Sequence, residues 1–382
     1  MRYYDDTDKD PLLGNLVKDS IKSWVKGTST EDTGFSNTVK EYRRIIRFRF
    51  VFIAICIVVI FAIAGYSVTL GPYNISIQEA YEIIWSHLTF GHYPDTAKDY
   101  IVWHTRIPRV AFAVFGGAAL SVAGAVMQSI LKNPLADSYT TGVSSGAGFG
   151  ATLAMSTGLV VGSMAGVVSF AFVFSIIPTA VIIAISKLSN ASPTTMIMAG
   201  IGVMYVFSAG TTVLMLWSDP QAMSAIYAWQ VGSLSNYNVV FDNIPIILVV
   251  SLAGTLFMCL MAGRINVLAT GDESAKALGI DADKLRILLL LVTGLLAAAI
   301  VSFVGIVGFV GLVSPHIVRI FIGADNRYLI PASAIFGGML MLVADQIGRV
   351  ALSTPLPVGV VMAFIGGPIF LWLILRRGKN VW

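Results

Sequence analysis

The chain of 382 residues is 56% apolar and only 12% charged, with a mean hydropathy of +0.80 and a formal net charge of +4. A soluble chain carries about twice that share of charged side chains, so a soluble enzyme and a nucleic-acid-binding protein are excluded first. The excess of cations is typical of a polytopic membrane protein, in which Lys and Arg collect at the cytoplasmic ends of the spans.

Residues 1–47 are polar and mixed in charge, and the first long apolar run begins near Phe48. That start lies too far along the chain for a secretory signal, so we expect these residues to remain as a cytoplasmic tail. Apolar residues recur in the tail at spacings of three and four, with lysines on the flank, which predicts an amphipathic helix at the membrane surface; a disordered tail is the alternative. The apolar positions are Leu12, Leu13, Leu16, Val17, Ile21, Trp24 and Val25.

Ten apolar segments follow the tail, each close to the roughly 20 residues that a helix needs to cross about 30 Å of hydrocarbon. They lie at approximately 48–70, 108–130, 141–160, 162–186, 194–217, 240–263, 285–304, 306–323, 329–352 and 357–375. The two-residue alternation of a membrane β-strand does not occur in them. Because a helix satisfies its own backbone hydrogen bonds in lipid, the sequence predicts an all-α polytopic membrane protein with about ten transmembrane helices in a domain covering 48–382.

The positions of Lys and Arg set the orientation of these helices. With both termini in the cytoplasm, sixteen cations lie near the inner ends of the spans and four near the outer ends. The four outer cations are Lys98, Arg106, Arg109 and Arg349. This asymmetry predicts cytoplasmic termini, and it requires a very short outer turn in the Gly-rich run at 304–308.

Side chains that carry bond chemistry are sparse. The four histidines show no metal-ligand spacing with Cys, Asp or Glu, and the phosphate-binding pattern G-x-x-x-x-G-K-[ST] does not occur. Asp345 falls late in the ninth segment, one helical turn from Arg349, where the two charges can neutralise each other, and the middles of the segments lack the carboxylates of ion-coupled carriers. We therefore expect no enzymatic activity, no metal site and no bound cofactor in this chain, and energy supplied by a partner.

The most polar internal segment, at 264–286, contains the run GDESAKALGI. Asp272 is placed to cap a short helix, and Gly279 is placed to end it in a left-handed turn. Ala275 and Leu278 would give that helix an apolar side. The pattern predicts a short amphipathic helix in a cytoplasmic loop.

Five motifs, taken in their order along the chain, resemble those of one transporter family. They are RIPRVAFAVFGGAALSVAGAVMQSILKNPLADSYTTGVSSGAGFGA (106–151), GDESAKALGI (271–280), GFVGLVSPHIVRIFIGADNRYLIP (308–331), ADQIGRV (344–350) and PVGVVMAFIGGPIFLWLI (357–374). The chain is similar to the FecCD-type permease subunits of the ATP-binding-cassette (ABC) importers for iron-siderophore complexes, haem and vitamin B12. The resemblance implies a dimer of permease chains, two ATPase subunits that bind ATP and Mg, and an extracytoplasmic substrate-binding protein.

The resemblance also implies roles for particular residues. The loop that couples the permease to its ATPase matches Gly271, Asp272, Glu273, Ala275, Leu278 and Gly279. The arginines that receive acidic residues of the binding protein match Arg106, Arg109 and Arg349, for which anchoring at the lipid headgroups is the alternative.

The sequence as a whole predicts a multi-pass permease of the cytoplasmic (inner) membrane that moves a ferric siderophore or similar metal chelate by alternating access. Haem or cobalamin is the alternative cargo, and an ion-gradient-driven carrier is the alternative class. Uncharged side chains in the fifth apolar segment suit a large, weakly bound ligand, although ordinary packing would use the same residues. The candidate pathway residues are Met196, Met198, Met204 and Ser208.

Overall fold

The computed structural model describes residues 43–375 except 72, 92, 94, 159–163, 190–191, 237 and 353. The chain divides into two compact units, Met1–Phe52 and Ile53–Trp382. The amphipathic helix predicted in the tail lies outside the described residues and stays a prediction. Every regular element within the described ranges is helical, which confirms the predicted all-α fold.

The helices follow one another with short connections. They are α1 (Arg43–Ser67), α2 (Ile77–Phe90), α3 (Ala97–Ile130), α4 (Val143–Ser156), α5 (Met164–Ser189), α6 (Pro193–Leu216), α7 (Pro220–Gln230), α8 (Ile244–Thr270), α9 (Asp272–Ala277), α10 (Ala282–Val304), α11 (Val310–Ile322), α12 (Asn326–Val350) and α13 (Val358–Leu375). Each of the ten predicted apolar segments coincides with one helix. In the part of the chain that is described, 7 helices are long and apolar enough to cross a membrane: α1, α3, α5, α6, α8, α10 and α12.

Helix α3 is the central element of the larger unit, because it packs against α8, α10, α11 and α12. Most of its residues from Gly117 to Ile130 are buried. Glycine allows the closest of these contacts: a Cβ at Gly124 would lie 1.8 Å from the carbonyl oxygen of Gly311 in α11. Small residues permit such approach in lipid, where packing drives the association of helices.

The first half of α3 departs from regular α-helical geometry. Residues Tyr100–Arg106 and Phe112–Gly116 form π-helical turns on either side of Pro108. A π-helical turn holds an extra residue, so it changes the direction in which the following side chains point. Arg106 and Arg109 lie in this irregular stretch.

The polar segment between α8 and α10 is shorter than the predicted loop at 264–286. Helix α8 continues to Thr270 and α10 begins at Ala282. The prediction was wrong at these boundaries because a charged residue such as Arg264 marks where a helix leaves the apolar layer, and backbone hydrogen bonds continue beyond that point. The short turn expected at 304–308 is confirmed, since α10 ends at Val304 and Gly305 adopts a φ of 84°.

Candidate functional site

The segment between α8 and α10 folds into α9 and a left-handed turn. The amide of Gly279 donates to the carbonyl oxygen of Lys276 at 3.0 Å, and that of Ile280 donates to the carbonyl oxygen of Ala275 at 2.9 Å. Gly279 has a φ of 76°, and a Cβ there would meet no atom within 4 Å. The turn therefore requires glycine for its backbone conformation and not for space, as the sequence predicted.

The prediction that Asp272 caps α9 is wrong. The N-cap position is Gly271, which makes no side-chain cap, and Asp272 is the first residue of the helix. Its Oδ1 accepts hydrogen bonds from Arg286 Nη2 at 2.7 Å and from Lys132 Nζ at 3.3 Å. Two cations compete successfully with the local backbone amides for this carboxylate, because bonds between charged groups are stronger than a neutral cap.

Partial burial alone would raise the pKa of Asp272, but the hydrogen bond and positive charge of Arg286, followed by those of Lys132, lower it below the usual carboxyl value. The carboxylate therefore stays ionised at neutral pH. Its side chain is 39% exposed, whereas that of Arg286 is 1% exposed.

Arg286 is a functional candidate that the sequence analysis does not identify, because the sequence alone shows only a cation at the edge of an apolar segment. Its Nε donates to the carbonyl oxygen of Ile130, the last residue of α3, at 3.3 Å, and its Nη1 donates to Asp283 at 3.4 Å. The available signal was its position: an arginine beyond the first turn of α10, at the start of the apolar run RILLLL. A buried cation there requires partners from neighbouring helices.

The two apolar residues predicted to share one side of α9 point in different directions. Ala275 is fully buried, whereas Leu278, just beyond the helix, is 68% exposed. Glu273 and Lys276 are also exposed. The free face of the segment is thus a small mixed surface with one large apolar side chain.

A second cluster of charges surrounds Asp345 in α12, whose side chain is fully buried. Arg109 Nη2 lies 2.7 Å from Asp345 Oδ1, and Arg349 Nε lies 3.0 Å from Asp345 Oδ2. Arg109 Nη1 also donates to Ser235 Oγ at 2.6 Å. The predicted pairing of Asp345 with Arg349 is confirmed, and Arg109 joins them from a position 236 residues away.

Arg106 completes this arginine cluster (Arg106, Arg109, Asp345 and Arg349), although it is bound by backbone atoms. Its Nη1 donates to the carbonyl oxygen of Val68 and its Nη2 to that of Tyr73, both at 2.7 Å. The three arginines line one cavity, which has a volume of about 520 Å³. Its other lining residues are Leu70, Gly71, Tyr73, Ile101, Thr105, Val350 and Pro355.

The three arginines predicted to dock a binding protein are more buried than an open charged surface would be. The side chains of Arg109 and Arg349 are 13% and 7% exposed, and Arg106 is 4% exposed. Each guanidinium bonds groups of its own chain, because a cation that leaves water needs such partners. Their role in docking stays a prediction.

The four predicted pathway residues of α6 do not share one face. Met196 belongs to the buried core, whereas Met198 is 57% exposed, as expected for positions about 200° apart around a helix. Met204 is half-buried. Ser208 lines a cavity with a volume of about 310 Å³, whose lining does not include these three methionines.

This cavity has uncharged walls that are rich in hydroxyl groups. The residues that line it are Tyr139, Ser145, Ser208, Thr211, Thr212, Met215, Tyr227, Gln230 and Ile306. Sequence reasoning missed Thr211 and Thr212, although their spacing of three and four from Ser208 places them on one face of α6. Such walls offer hydrogen bonds to a ligand without fixing it by charge.

The described histidines of α2 and α3 take part in local contacts. His87 Nε2 bonds Asp99 Oδ1, and the His87 ring stacks on Trp103 with centroids 4.1 Å apart. The ring of His104 stacks on Tyr100 at 5.4 Å. Within the described ranges, no group of three or more His, Cys, Asp or Glu side chains is placed to hold a metal ion.

Apolar helices of spanning length, joined by short connections and packed around α3, define a polytopic helical membrane protein. The model of the FecCD transport family matches residues 52–376. The chain is 39% identical over 293 residues to the cobalamin import system permease protein of Halobacterium salinarum, covering 76% of this chain and 77% of that one. It is 34% identical over 313 residues to the hemin transport system permease protein of Yersinia pestis, covering 77% and 90%.

A solved structure shares the fold as well. It is an inward-facing conformation of a transporter assigned to the metal-chelate ABC type, and it superposes with a TM-score of 0.74 at 27% identity, covering 85% of this chain and 98% of that chain. The chain belongs to the FecCD transport family and is a multi-pass protein of the cell membrane.

Proposed function

We propose that the chain is the transmembrane permease subunit of an ABC importer, and that it moves a ferric siderophore or a similar metal chelate into the cell by alternating access. The observation that carries this proposal is the family match over residues 52–376, which includes both the exposed helix α9 and the uncharged cavity beside α6. The chain makes and breaks no bonds itself. Two partner ATPase subunits bind ATP and Mg and supply the energy.

Helix α9 and the turn at Gly279 form the contact with the ATPase. Their exposed surface combines Glu273, Lys276 and the large apolar side chain of Leu278, a composition suited to a cleft on a partner. Because both connections of α9 to the long helices are short, a displacement of the ATPase is passed to α8 and α10. A second permease chain and an extracytoplasmic binding protein complete the importer.

The uncharged cavity suits a bulky, weakly held cargo. A pathway must bind its ligand well enough to admit it and weakly enough to release it, and hydroxyl groups without charges meet both conditions. The two relatives named above carry cobalamin and hemin, which are large metal chelates. Haem and cobalamin are the alternative cargoes for this chain.

The arginine cluster receives the binding protein by exchanging partners. Arg109 is the more exposed of the two arginines that share Asp345. An acidic side chain entering the adjoining cavity would compete with Asp345 for its guanidinium. Docking would then loosen the tie between α3 and α12, which links the outer contact to a change in helix packing.

Uptake measurements in proteoliposomes test the cargo. The permease is reconstituted with its ATPase and binding protein, ATP is enclosed, and a ferric hydroxamate siderophore with radiolabelled iron, haem and cyanocobalamin are supplied in separate reactions. We expect the siderophore to accumulate fastest. Accumulation of haem or cobalamin alone would replace the proposed cargo by that alternative, and uptake of none of the three would contradict the proposed importer of metal chelates.

A further inference from the structure

Helix α9 is fixed to the C-terminal end of α3 by a single buried side chain. Arg286 donates through Nη2 to Asp272 of α9 and through Nε to the backbone carbonyl of Ile130 in α3. Lys132, which follows α3, donates to the same carboxylate oxygen. Helices α3, α9 and α10 therefore meet at one guanidinium, and α3 is distant in sequence from the other two.

The same end of α3 is tied to two further helices. Ser129 Oγ lies 3.0 Å from Asn326 Oδ1 at the start of α12, and Asn326 Nδ2 donates to Asn266 Oδ1 of α8 at 2.8 Å. Asn266 Nδ2 in turn donates to Asp325 at 2.6 Å. A displacement of this end of α3 is thus shared with α8 and α12 through buried or half-buried hydrogen bonds.

We propose that Arg286 is a positioning residue that locks α9 to α3, so that movement of the ATPase is transmitted to the central helix and not only to α8 and α10. This inference rests on the proposed function. The physical reason is that α9 has six residues and buries little of itself apart from Ala275, so backbone connections alone leave its orientation loosely determined. A planar guanidinium with bonds in three directions removes that freedom.

The two carboxylates that accept hydrogen bonds from Arg286 provide a pair of variants for comparison. Asp272 lies on α9, whereas Asp283 lies on α10, the helix of Arg286 itself, at 3.4 Å and with 65% of its side chain exposed. Asp272→Asn and Asp283→Asn make the same small change, and each removes one negative partner of Arg286; Asp272→Asn also removes the partner of Lys132. Only the first breaks the tie between α9 and α3, so a merely structural role of Arg286 predicts similar effects of both.

The functional readout is the amount of cargo imported per ATP hydrolysed by the full complex. We expect Asp272→Asn to lower this ratio about three- to tenfold, the range for losing one hydrogen bond of ordinary net strength, while ATP hydrolysis continues. Asp283→Asn should retain the ratio of the unmodified complex. Arg286→Lys keeps a charge near Asp272 but cannot also reach Ile130 with a second fixed donor, so it should give an intermediate ratio.

A distance measurement tests the same tie without transport. Spin labels are placed at Leu278 beside α9 and at Leu135 beyond α3, both exposed, in a chain whose native cysteines are replaced by Cys56→Ala and Cys259→Ala. The distribution of distances between the labels should be narrow and should broaden when Asp272→Asn is added. It should stay narrow when Asp283→Asn is added instead.

The two proposals fail in different ways. If the unmodified complex shows no ATP-driven import, the proposed function is wrong, but the label distances still report on the tie. If import is normal and Asp272→Asn changes neither the ratio nor the distances, Arg286 does not position α9 and the inference is wrong.

Discussion

Two glycines, Gly91 after α2 and Gly279 after α9, form a pair for testing the coupling surface, which is the proposed ATPase contact made by α9 and the turn at Gly279. Their φ angles are 77° and 76°, and a Cβ at either position would meet no atom within 4 Å. Leucine at either site should therefore cost a similar amount, about 1–2 kcal/mol, through backbone strain alone. Only Gly279→Leu changes the surface proposed to contact the ATPase, so only this variant should lose co-purification with the ATPase and lower transport.

Gly91→Leu is the control for backbone strain in that experiment. It should insert into the membrane, bind the ATPase and transport cargo at nearly the unmodified rate. Equal effects of the two variants, or normal assembly and transport by Gly279→Leu, would remove α9 and its turn from the coupling surface.

Asp345 offers a test of whether the arginine cluster holds the fold together. Asp345→Asn leaves Arg109 and Arg349 buried without their carboxylate, which should destabilise the protein by about 3–5 kcal/mol. The control, Glu79→Gln, removes the partner of Lys98 from a pair whose side chains are 25% and 35% exposed, and it should cost much less. The comparison is made by unfolding both variants in detergent with heat or denaturant; equal losses would show that the cluster contributes no more than this partly exposed pair.

The effect of pH on the stability that Asp272 contributes follows from the direction in which its pKa is shifted. Because Arg286 and Lys132 hold this pKa below the value of about 3.9 in an unfolded chain, the ionised carboxylate contributes stability above that value. The contribution is lost as the pH falls through the lowered pKa. The stability difference between the unmodified protein and Asp272→Asn should be constant from about pH 6 to 8 and shrink below about pH 4; a difference that disappears near neutral pH would contradict the assigned pairing.

At the scale of helices, the sequence predicted which segments are helical but not where each one ends. Hydropathy located all ten apolar segments, since burial in lipid leaves a continuous apolar run. It failed at α8, which runs past Arg264 to Thr270, because helical hydrogen bonding does not stop at the membrane boundary. It also failed to separate the faces of α6, where Met196 is buried and Met198 is exposed, because methionine suits both environments.

In the candidate sites, contacts between residues adjacent in sequence were predictable, whereas contacts between distant segments were not. The turn at Gly279 was predictable, because a left-handed residue after a short helix is encoded by adjacent positions. The pairing of Arg286 with Asp272 and Ile130 was not, since it depends on how α3, α9 and α10 pack. The bond between Arg109 and Asp345 spans 236 residues, and a single sequence carries no signal for it.

At the scale of the whole molecule, α3 links the two proposed contacts. Its first half carries Arg106 and Arg109 in the arginine cluster, and its last residue accepts the bond from Arg286. A change at either end can therefore act along one helix, which contains π-helical turns at Tyr100–Arg106 and Phe112–Gly116. Such a linkage between sites is reciprocal, so docking of the binding protein should alter how the ATPase is held.

The energy source is the most direct test of the proposed importer. Uptake is measured in proteoliposomes that contain the permease with its ATPase and binding protein, with ATP enclosed and no ion gradient. Import should proceed, should be indifferent to a protonophore, and should stop when a non-hydrolysable analogue replaces ATP. Uptake by this chain alone, driven by a pH or sodium gradient without ATP, would instead establish an ion-coupled carrier and contradict the proposed function.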